Sequence, residues 1–467
     1  MIANARRASE LTDMPRETWS GRTGFVLAAV GSAVGLGSIW KFPYEVGANG
    51  GSAFVLFYVA GLVLVVVPLL FAEFAIGRRG GGDAVTSIGA VATAHGAGRG
   101  WAWVGALGII TGLLILSFYS VIVGLTIAYA VETAIDGLPA AGPGAVQARY
   151  DALLASPLRM TAYHALFIGI TAFIVARGVG GGIEAACKVL MPALVALLLG
   201  LAAYAMAAGG LPATLEFLFH LDPQRVSARA ALEALGLGFF SIGVGLGLMI
   251  TYAAYAGAEI DLRRAAVATV VADTAISLLA GFAVFPVVFA NGLDPAGGPG
   301  LVFVTLPLAF ARMPFGTLAA VAFFVLLFVA ALASAISLLE LAAAFASHRL
   351  GWSRPKASAA PAAACFVAGI ATVLSFNRWA DWHPLAFLPA FATATVFDLL
   401  DHLTSNLLLP VGGFALAVFA GWALPRALLA DELRLPSAKA TRLYLVLRYV
   451  TPAGIAAAAL APLWIRG

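Results

Sequence analysis

Apolar runs of about twenty residues alternate with short polar segments along almost the whole chain. They fall at residues 24–45, 53–77, 103–133, 160–176, 184–208, 233–256, 264–290, 318–347, 357–376, 391–424 and 443–465. A run of ~20 apolar residues in helical form crosses a hydrocarbon core of ~30 Å. The pattern predicts an all-α membrane protein of about eleven transmembrane helices. Two runs depart from the rest. The first holds Gly31, Gly35, Gly37, Pro43 and Gly47, and the sixth holds Gly236, Gly238, Gly243, Gly245 and Gly247. Both carry the tetrapeptide Val-Gly-Leu-Gly, at residues 34–37 and 244–247, with Ser32 and Ser241 just upstream. Glycine costs a helix ~1 kcal/mol per residue, so these clusters predict unwound backbone at mid-membrane depth. Such backbone survives in a bilayer where it lines a polar cavity or is buried in protein. Interrupted spans at matched places in two halves of five point to the binding site of a secondary transporter.

Composition agrees. Hydrophobic residues make up 62% of the 467 and charged residues 11%, which excludes a water-soluble globular domain. The net charge of +4 is scattered over loops, which argues for membrane orientation and against a nucleic-acid partner. With the amino terminus inside, the tail 1–22 and loops 78–102, 177–183, 257–263, 348–356 and 425–442 together carry most of the Lys and Arg, 16 of 27. Residues 1–22 are polar and contain Arg6, Arg7, Arg16 and Arg22, which reads as a cytoplasmic tail without a cleavable signal. Eleven spans then leave the carboxyl terminus external, with 134–159, 209–232 and 291–317 as external loops. The expected location is the plasma (inner) membrane. Cys187 and Cys365 lie in apolar runs without metal-ligand spacing and read as small buried hydrophobes. No His-Glu-x-x-His motif or intramembrane nucleophile–base set appears, so no enzyme is expected.

The residues also resemble a known family. Residues 19–25 (Trp-Ser-Gly-Arg-Thr-Gly-Phe) and 35–43 (Gly-Leu-Gly-Ser-Ile-Trp-Lys-Phe-Pro) are similar to the opening of the neurotransmitter:sodium symporters. So are residues 49–54 (Asn-Gly-Gly-Ser-Ala-Phe), Glu73 with Gly77 and Arg78, Arg177 with Glu184, and Met191-Pro192. The likeness continues through Thr251, Tyr252 and Tyr255, residues 334–340 (Ser-Ala-Ile-Ser-Leu-Leu-Glu), and residues 397–406 from Phe397 through Asp401 to Asn406. It resembles the bacterial eleven-helix branch with the leucine-transporter fold. The resemblance implies two inverted five-helix repeats, 23–208 and 209–424, after the tail and before a connecting loop and eleventh helix at 425–467. It implies import of an amino acid with sodium as the only cofactor, across a lipid bilayer, by a monomer or weak homodimer.

On this resemblance, the half-helix amides of Leu36 and Gly37, with the Tyr119 hydroxyl, would bind a substrate carboxylate. Carbonyls of Ala33, Phe240 and Ser241 would take its ammonium. Monoamine carriers of the family have an Asp where Gly35 stands, so glycine implies a substrate that brings its own carboxylate. Ile115, Phe240, Leu246, Ser334 and Leu338 would line a mostly apolar side-chain pocket. Gly243 and Leu246 replace a Ser and a Phe of the family's leucine transporter and should enlarge it. The pair Gly243 and Gly245 resembles one in a bacterial carrier of several hydrophobic amino acids. A hydrophobic L-amino acid, aliphatic or aromatic, is the expected substrate.

The first sodium site maps to Ala33, Ser38, Ser241 and Asp273, and the second to Gly31, Val34, Ala330 and Ser334. Ser38 stands for a nearly standard Asn, and Ala333 for a second hydroxyl, so proton coupling through Asp273 remains an alternative. Chloride is not expected, because Leu237 occupies the Gln position of chloride-dependent relatives and Asp273 supplies negative charge beside Tyr58 and Ser277. Lys41 and Asp401 map to the outer gate, with Phe240 and Tyr119 as an aromatic lid. Arg16, Trp19 and Tyr255 map to the inner gate, where His348 replaces the acidic partner of Arg16. A channel or transport-like sensor is the reading from another class.

Overall fold

The protein is described here by a computed structural model covering residues 17–139, 142–295 and 301–464, and those residues form helices and turns without a strand. Among them, nine helices are long and apolar enough to cross a membrane. These are Ser52–Gly80, Arg99–Asp136, Pro157–Ala176, Val179–Ala207, Leu262–Ala290, Gly316–Leu350, Arg354–Ser375, Val396–Ala423 and Ser437–Leu460. A further crossing is the pair Arg22–Ala33 and Gly37–Ala48, bent by 53°. Another is assembled from Ala228–Ile242 and Leu248–Ala254, each too short to cross alone. In chain order these are spans 1 to 11, with the broken ones first and sixth.

The span boundaries follow the apolar runs with two kinds of difference. The tenth span begins at Val396, because Thr395 and Asp398 form a capping box there and the preceding turns include the short helix Pro389–Phe391. The long polar stretches are themselves partly helical, as Gly142–Leu154, Leu211–Phe219 and Leu301–Ala311, and loop 78–102 contains Ala84–Ala94. Asp83 caps that last helix by accepting from the amides of Val85 and Thr86 at 3.0 and 3.1 Å.

The two breaks arise differently. In span 1 the helix stops at Ala33, Val34 is extended (φ −81°, ψ 105°), and a second helix starts after Leu36. In span 6, Gly243, Gly245 and Gly247 have φ of 69°, 93° and 78°, a left-handed region in which other residues are strained. The buried carboxylate of Glu73 in span 2 accepts from the Gly245 amide at 2.5 Å, satisfying one donor that the break releases. Span 3 packs along span 8 and span 4 along span 9. The first half of span 1, Arg22–Ala33, lies against spans 5, 7 and 8, while both halves of span 6 rest on span 2. The broken segments thus meet inside the bundle, away from lipid.

Candidate binding cavity and gates

One cavity lies where the two breaks face each other. Its lining includes all twelve residues expected for the substrate: Ala33, Gly35, Leu36, Gly37, Ile115, Tyr119, Phe240, Ser241, Gly243, Leu246, Ser334 and Leu338. Ser32, Leu248 and Leu409 complete it and were not anticipated. Tyr119 comes from span 3 and turns its hydroxyl toward the Leu36 amide, whose nitrogen is 3.5 Å away. A half-helix end with unpaired amides and a phenol beside it offers donors suited to a carboxylate. The Ser32 hydroxyl, in the last turn of the preceding helix Arg22–Ala33, is buried without a partner. Apart from these groups and the hydroxyls of Ser241 and Ser334 the lining side chains are apolar, as a hydrophobic side chain requires. No acidic side chain lines it, and Gly35 leaves no room for one: a Cβ there would lie 2.5 Å from Ser334 Oγ and 3.3 Å from the Tyr119 hydroxyl.

Two groups of oxygens flank the cavity. In the first, Asp273 of span 7 is fully buried and its Oδ1 accepts from Ser38 Oγ at 2.5 Å and Ser241 Oγ at 3.1 Å. Its Oδ2 accepts from the Tyr58 hydroxyl at 2.9 Å, and Ser38 and Ser241 are 2.9 Å apart. One carboxylate and hydroxyls from both broken spans therefore share a point. In the second, Ser334 Oγ has the carbonyl oxygens of Gly31, Ser32 and Val34 at 3.4, 3.4 and 3.2 Å. One hydroxyl proton serves only one of three carbonyls, and such crowding of acceptors fits a hard cation. Ala330 is buried one turn before Ser334, and Ala333 packs against Gly31 without adding an oxygen.

The outer gate residues are not paired with each other. The Lys41 ammonium sits 4.8 Å from the centre of the Phe240 ring, and Asp401 Oδ1 instead accepts from Ser405 at 3.0 Å. Lys41, Glu45, Glu233, Phe240, Ser405 and Asn406 border a second, open cavity on this side. A point-charge ammonium resting on an aromatic face holds Lys41 and Phe240 together.

A buried hydrogen-bonded network occupies the other side, near the amino terminus. Trp19 is buried, and its indole donates to the Tyr252 carbonyl at 2.8 Å while its amide donates to the Tyr255 carbonyl at 3.3 Å. Arg16 lies outside the described residues. Glu340, the fully buried acid on this side, is paired with other groups. It receives two bonds from Arg354, at 3.0 and 2.7 Å, and one from the Tyr255 hydroxyl at 2.8 Å. Arg354 also lies 3.4 Å from Glu17, whose other oxygen accepts from the Val179 amide at 3.2 Å. His348 faces elsewhere: its Nδ1 accepts from the Asp83 amide at 3.0 Å. Burial opposes the charge of Asp83, but the neighbouring His348 imidazole and hydrogen bonds from the side chain and amide of Thr86 outweigh it and hold the carboxyl below its usual range. Sequence reasoning missed Arg354 and Glu17. The available signal was Glu340 itself, an acid within an apolar run that demands a cation.

Comparisons with known proteins place these features in context. A model described as the sodium:neurotransmitter symporter family matches residues 16–145 and 155–400. The uncharacterized sodium-dependent transporter YhdH of Bacillus subtilis is 36% identical over 420 residues, spanning 89% of this chain and 90% of its own. An uncharacterized sodium-dependent transporter of Haemophilus influenzae is 31% identical over 416 residues, 88% of this chain and 90% of the relative. The sodium-dependent dopamine transporter of Bos taurus is 30% identical over 379 residues, 70% of this chain and 53% of the relative. Among solved structures, MhsT in complex with L-phenylalanine matches with a TM-score of 0.85 and 39% identity, covering 96% of this chain and 99% of that one.

Proposed function

Because the chain belongs to the sodium:neurotransmitter symporter family and has the leucine-transporter fold, we propose that it imports a hydrophobic L-amino acid by sodium-coupled symport. That it is a sodium-dependent membrane transporter follows from the family. The class of substrate rests on the cavity, and above all on Gly35. A substrate amine there meets no side-chain carboxylate, so a ligand with its own carboxylate fits best, its acid group at Leu36, Gly37 and Tyr119. That carboxylate would lie beside Ser38, Ser241 and Asp273, so substrate and ion would each strengthen the other's binding. Site 1 is then Ala33, Ser38, Ser241 and Asp273, and site 2 Gly31, Val34, Ala330 and Ser334. The L-phenylalanine bound by MhsT supports an aromatic or aliphatic side chain.

Chloride independence belongs to the same reading. The hydroxyls of Tyr58 and Ser241 are spent on the Asp273 carboxylate, which occupies the place of an external anion. Transport would alternate access by moving the halves 23–208 and 209–424 against one another around the broken spans. The Lys41–Phe240 unit would open on one side and the Trp19, Tyr255, Glu340 and Arg354 network on the other. The side carrying Arg78, Arg79, Arg349, Arg354 and Arg434 is taken as cytoplasmic by its basic surplus, and the amino-terminal tail with it.

The discriminating experiment is competition for bound labelled L-phenylalanine in sodium buffer. L-Leucine and L-tryptophan should displace it, whereas phenethylamine, which lacks the carboxylate, should not. Displacement by phenethylamine as effective as by the amino acids would overturn the carboxylate assignment.

A further inference from the structure

Arg448 stands in span 11 without any acidic partner among the described residues, and this carries an inference independent of the substrate. Its guanidinium carbon lies 4.2 Å from the centre of the Trp422 ring and 5.7 Å from that of Tyr449. The two rings meet edge to face at 5.8 Å, and the Trp422 indole donates to the carbonyl of Arg448 at 2.9 Å. Arg448 Nε is buried with no hydrogen-bond partner. The arrangement is fixed by backbone contact between spans 10 and 11, where a Cβ on Gly421 would fall 2.7 Å from the Arg448 Cα. Both rings are 54% exposed on the outer surface of the bundle, where lipid is the neighbour.

Depth and charge identify the ligand. From Arg448 to the helix end at Trp464 the rise is roughly 24 Å at ~1.5 Å per residue, against a hydrocarbon core of ~30 Å. With that end at one boundary, the guanidinium is within snorkelling reach of the other, at the depth where tryptophan and tyrosine concentrate. The surrounding segment is basic: residues 425–450 contain Arg426, Arg434, Lys439, Arg442 and Arg448 but only two acids. Those acids, Asp431 and Glu432, are engaged by Arg79 and Arg78. Lys439 and Arg442 are exposed and free to add to the field. We propose that Arg448, clamped between Trp422 and Tyr449, is a binding site for the phosphate of an anionic phospholipid headgroup. A planar fork resting over an indole presents its remaining N–H donors to a phosphodiester, and the acyl chains then lie along the apolar outer faces of spans 10 and 11.

The test is native mass spectrometry of the full chain released from detergent after incubation with phosphatidylglycerol or phosphatidylcholine, with inorganic phosphate as a competitor. Wild-type protein should retain phosphatidylglycerol in preference to phosphatidylcholine. Arg448→Gln should lower phosphatidylglycerol retention at least ~fivefold and leave phosphatidylcholine unchanged, and Arg448→Lys should be intermediate, keeping charge without the fork. Trp422→Phe, which keeps a ring but removes the indole N–H and the stronger cation–π face, should lower retention partly and serves if the glutamine variant does not fold. In thermal unfolding, phosphatidylglycerol should stabilise wild type and not Arg448→Gln. Equal retention of the two lipids, or unchanged phosphatidylglycerol retention in folded variants, overturns the site. Displacement of the lipid by inorganic phosphate with the same dependence on Arg448 overturns the lipid assignment in favour of a small anion.

Discussion

Gly35 and Ser334 approach so closely that a Cβ on the glycine would lie 2.5 Å from the serine hydroxyl oxygen. This contact joins the break in span 1 to span 8 at the point where cavity and second oxygen cluster meet. Gly35→Ala should therefore displace Ser334 from the carbonyls of Gly31 and Val34 while narrowing the cavity. Overpacking of this kind costs ~1–3 kcal/mol, equivalent to roughly 5–150-fold in affinity. Equilibrium binding of L-phenylalanine should weaken by that factor, and Gly35→Asp should abolish it. Unchanged affinity in Gly35→Ala would show that the ligand lies elsewhere.

Asp273 gathers three hydroxyl donors, from Ser38, Ser241 and Tyr58. Asp273→Asn keeps the shape and removes the charge, so the sodium concentration for half-maximal substrate binding should rise about tenfold or more, with fold and detergent stability near wild type. Asp273→Ala removes the acceptor shared by three buried hydroxyls, of which Ser38 and Ser241 can still bond each other, and each buried group left unsatisfied costs ~1–3 kcal/mol. It should lose both sodium dependence and thermal stability. The difference between the two variants separates the ion's requirement from the scaffold's.

Arg354 and Tyr255 both donate to the buried carboxylate of Glu340, the network proposed above as the inner gate. Removing one partner of a buried pair leaves an uncompensated charge, at a cost of ~3–5 kcal/mol. Arg354→Gln should weaken closure and raise labelling of a cysteine introduced in the inner path. The double variant Arg354→Met with Glu340→Gln should restore stability more than access control, because it removes the stranded charge without remaking the latch. Labelling equal to wild type in Arg354→Gln would remove this pair from the gate.

Ala333 packs against Gly31 beside the Ser334 oxygen cluster. Ala333→Ser adds a hydroxyl where only carbonyls and Ser334 now stand. The half-saturating sodium concentration for transport should fall severalfold, read as uptake into proteoliposomes against sodium concentration. A rise would mean that the added oxygen crowds Gly31 and does not serve the ion.

How much of this was legible in the sequence depends on how local each signal is. Span positions followed from the length of apolar runs, since crossing a bilayer is a one-dimensional requirement. The breaks were legible because glycine clusters act on their own backbone, and the twelve cavity residues because the family resemblance carried them position by position. What escaped were contacts between distant segments. Nothing near Glu340 in the chain announces Arg354, and the pairing exists only because spans 8 and 9 turn around a short loop at Gly351. Lys41 and Asp401 were matched as a pair by resemblance, yet Lys41 rests on Phe240 and Asp401 on Ser405, a choice set by conformation. Glu73 stood in a quoted motif without a role until its bond to the Gly245 amide gave it one.

Binding of labelled L-leucine, L-phenylalanine and L-tryptophan to purified protein, in sodium and in potassium at equal ionic strength and at two pH values, tests sodium-coupled amino-acid recognition most directly. Binding of at least one of them is predicted in sodium, lost in potassium, little changed between the pH values, and dependent on Asp273. Tight binding in potassium that varies only with pH would contradict it and make Asp273 the carrier of a proton in place of a ligand for sodium.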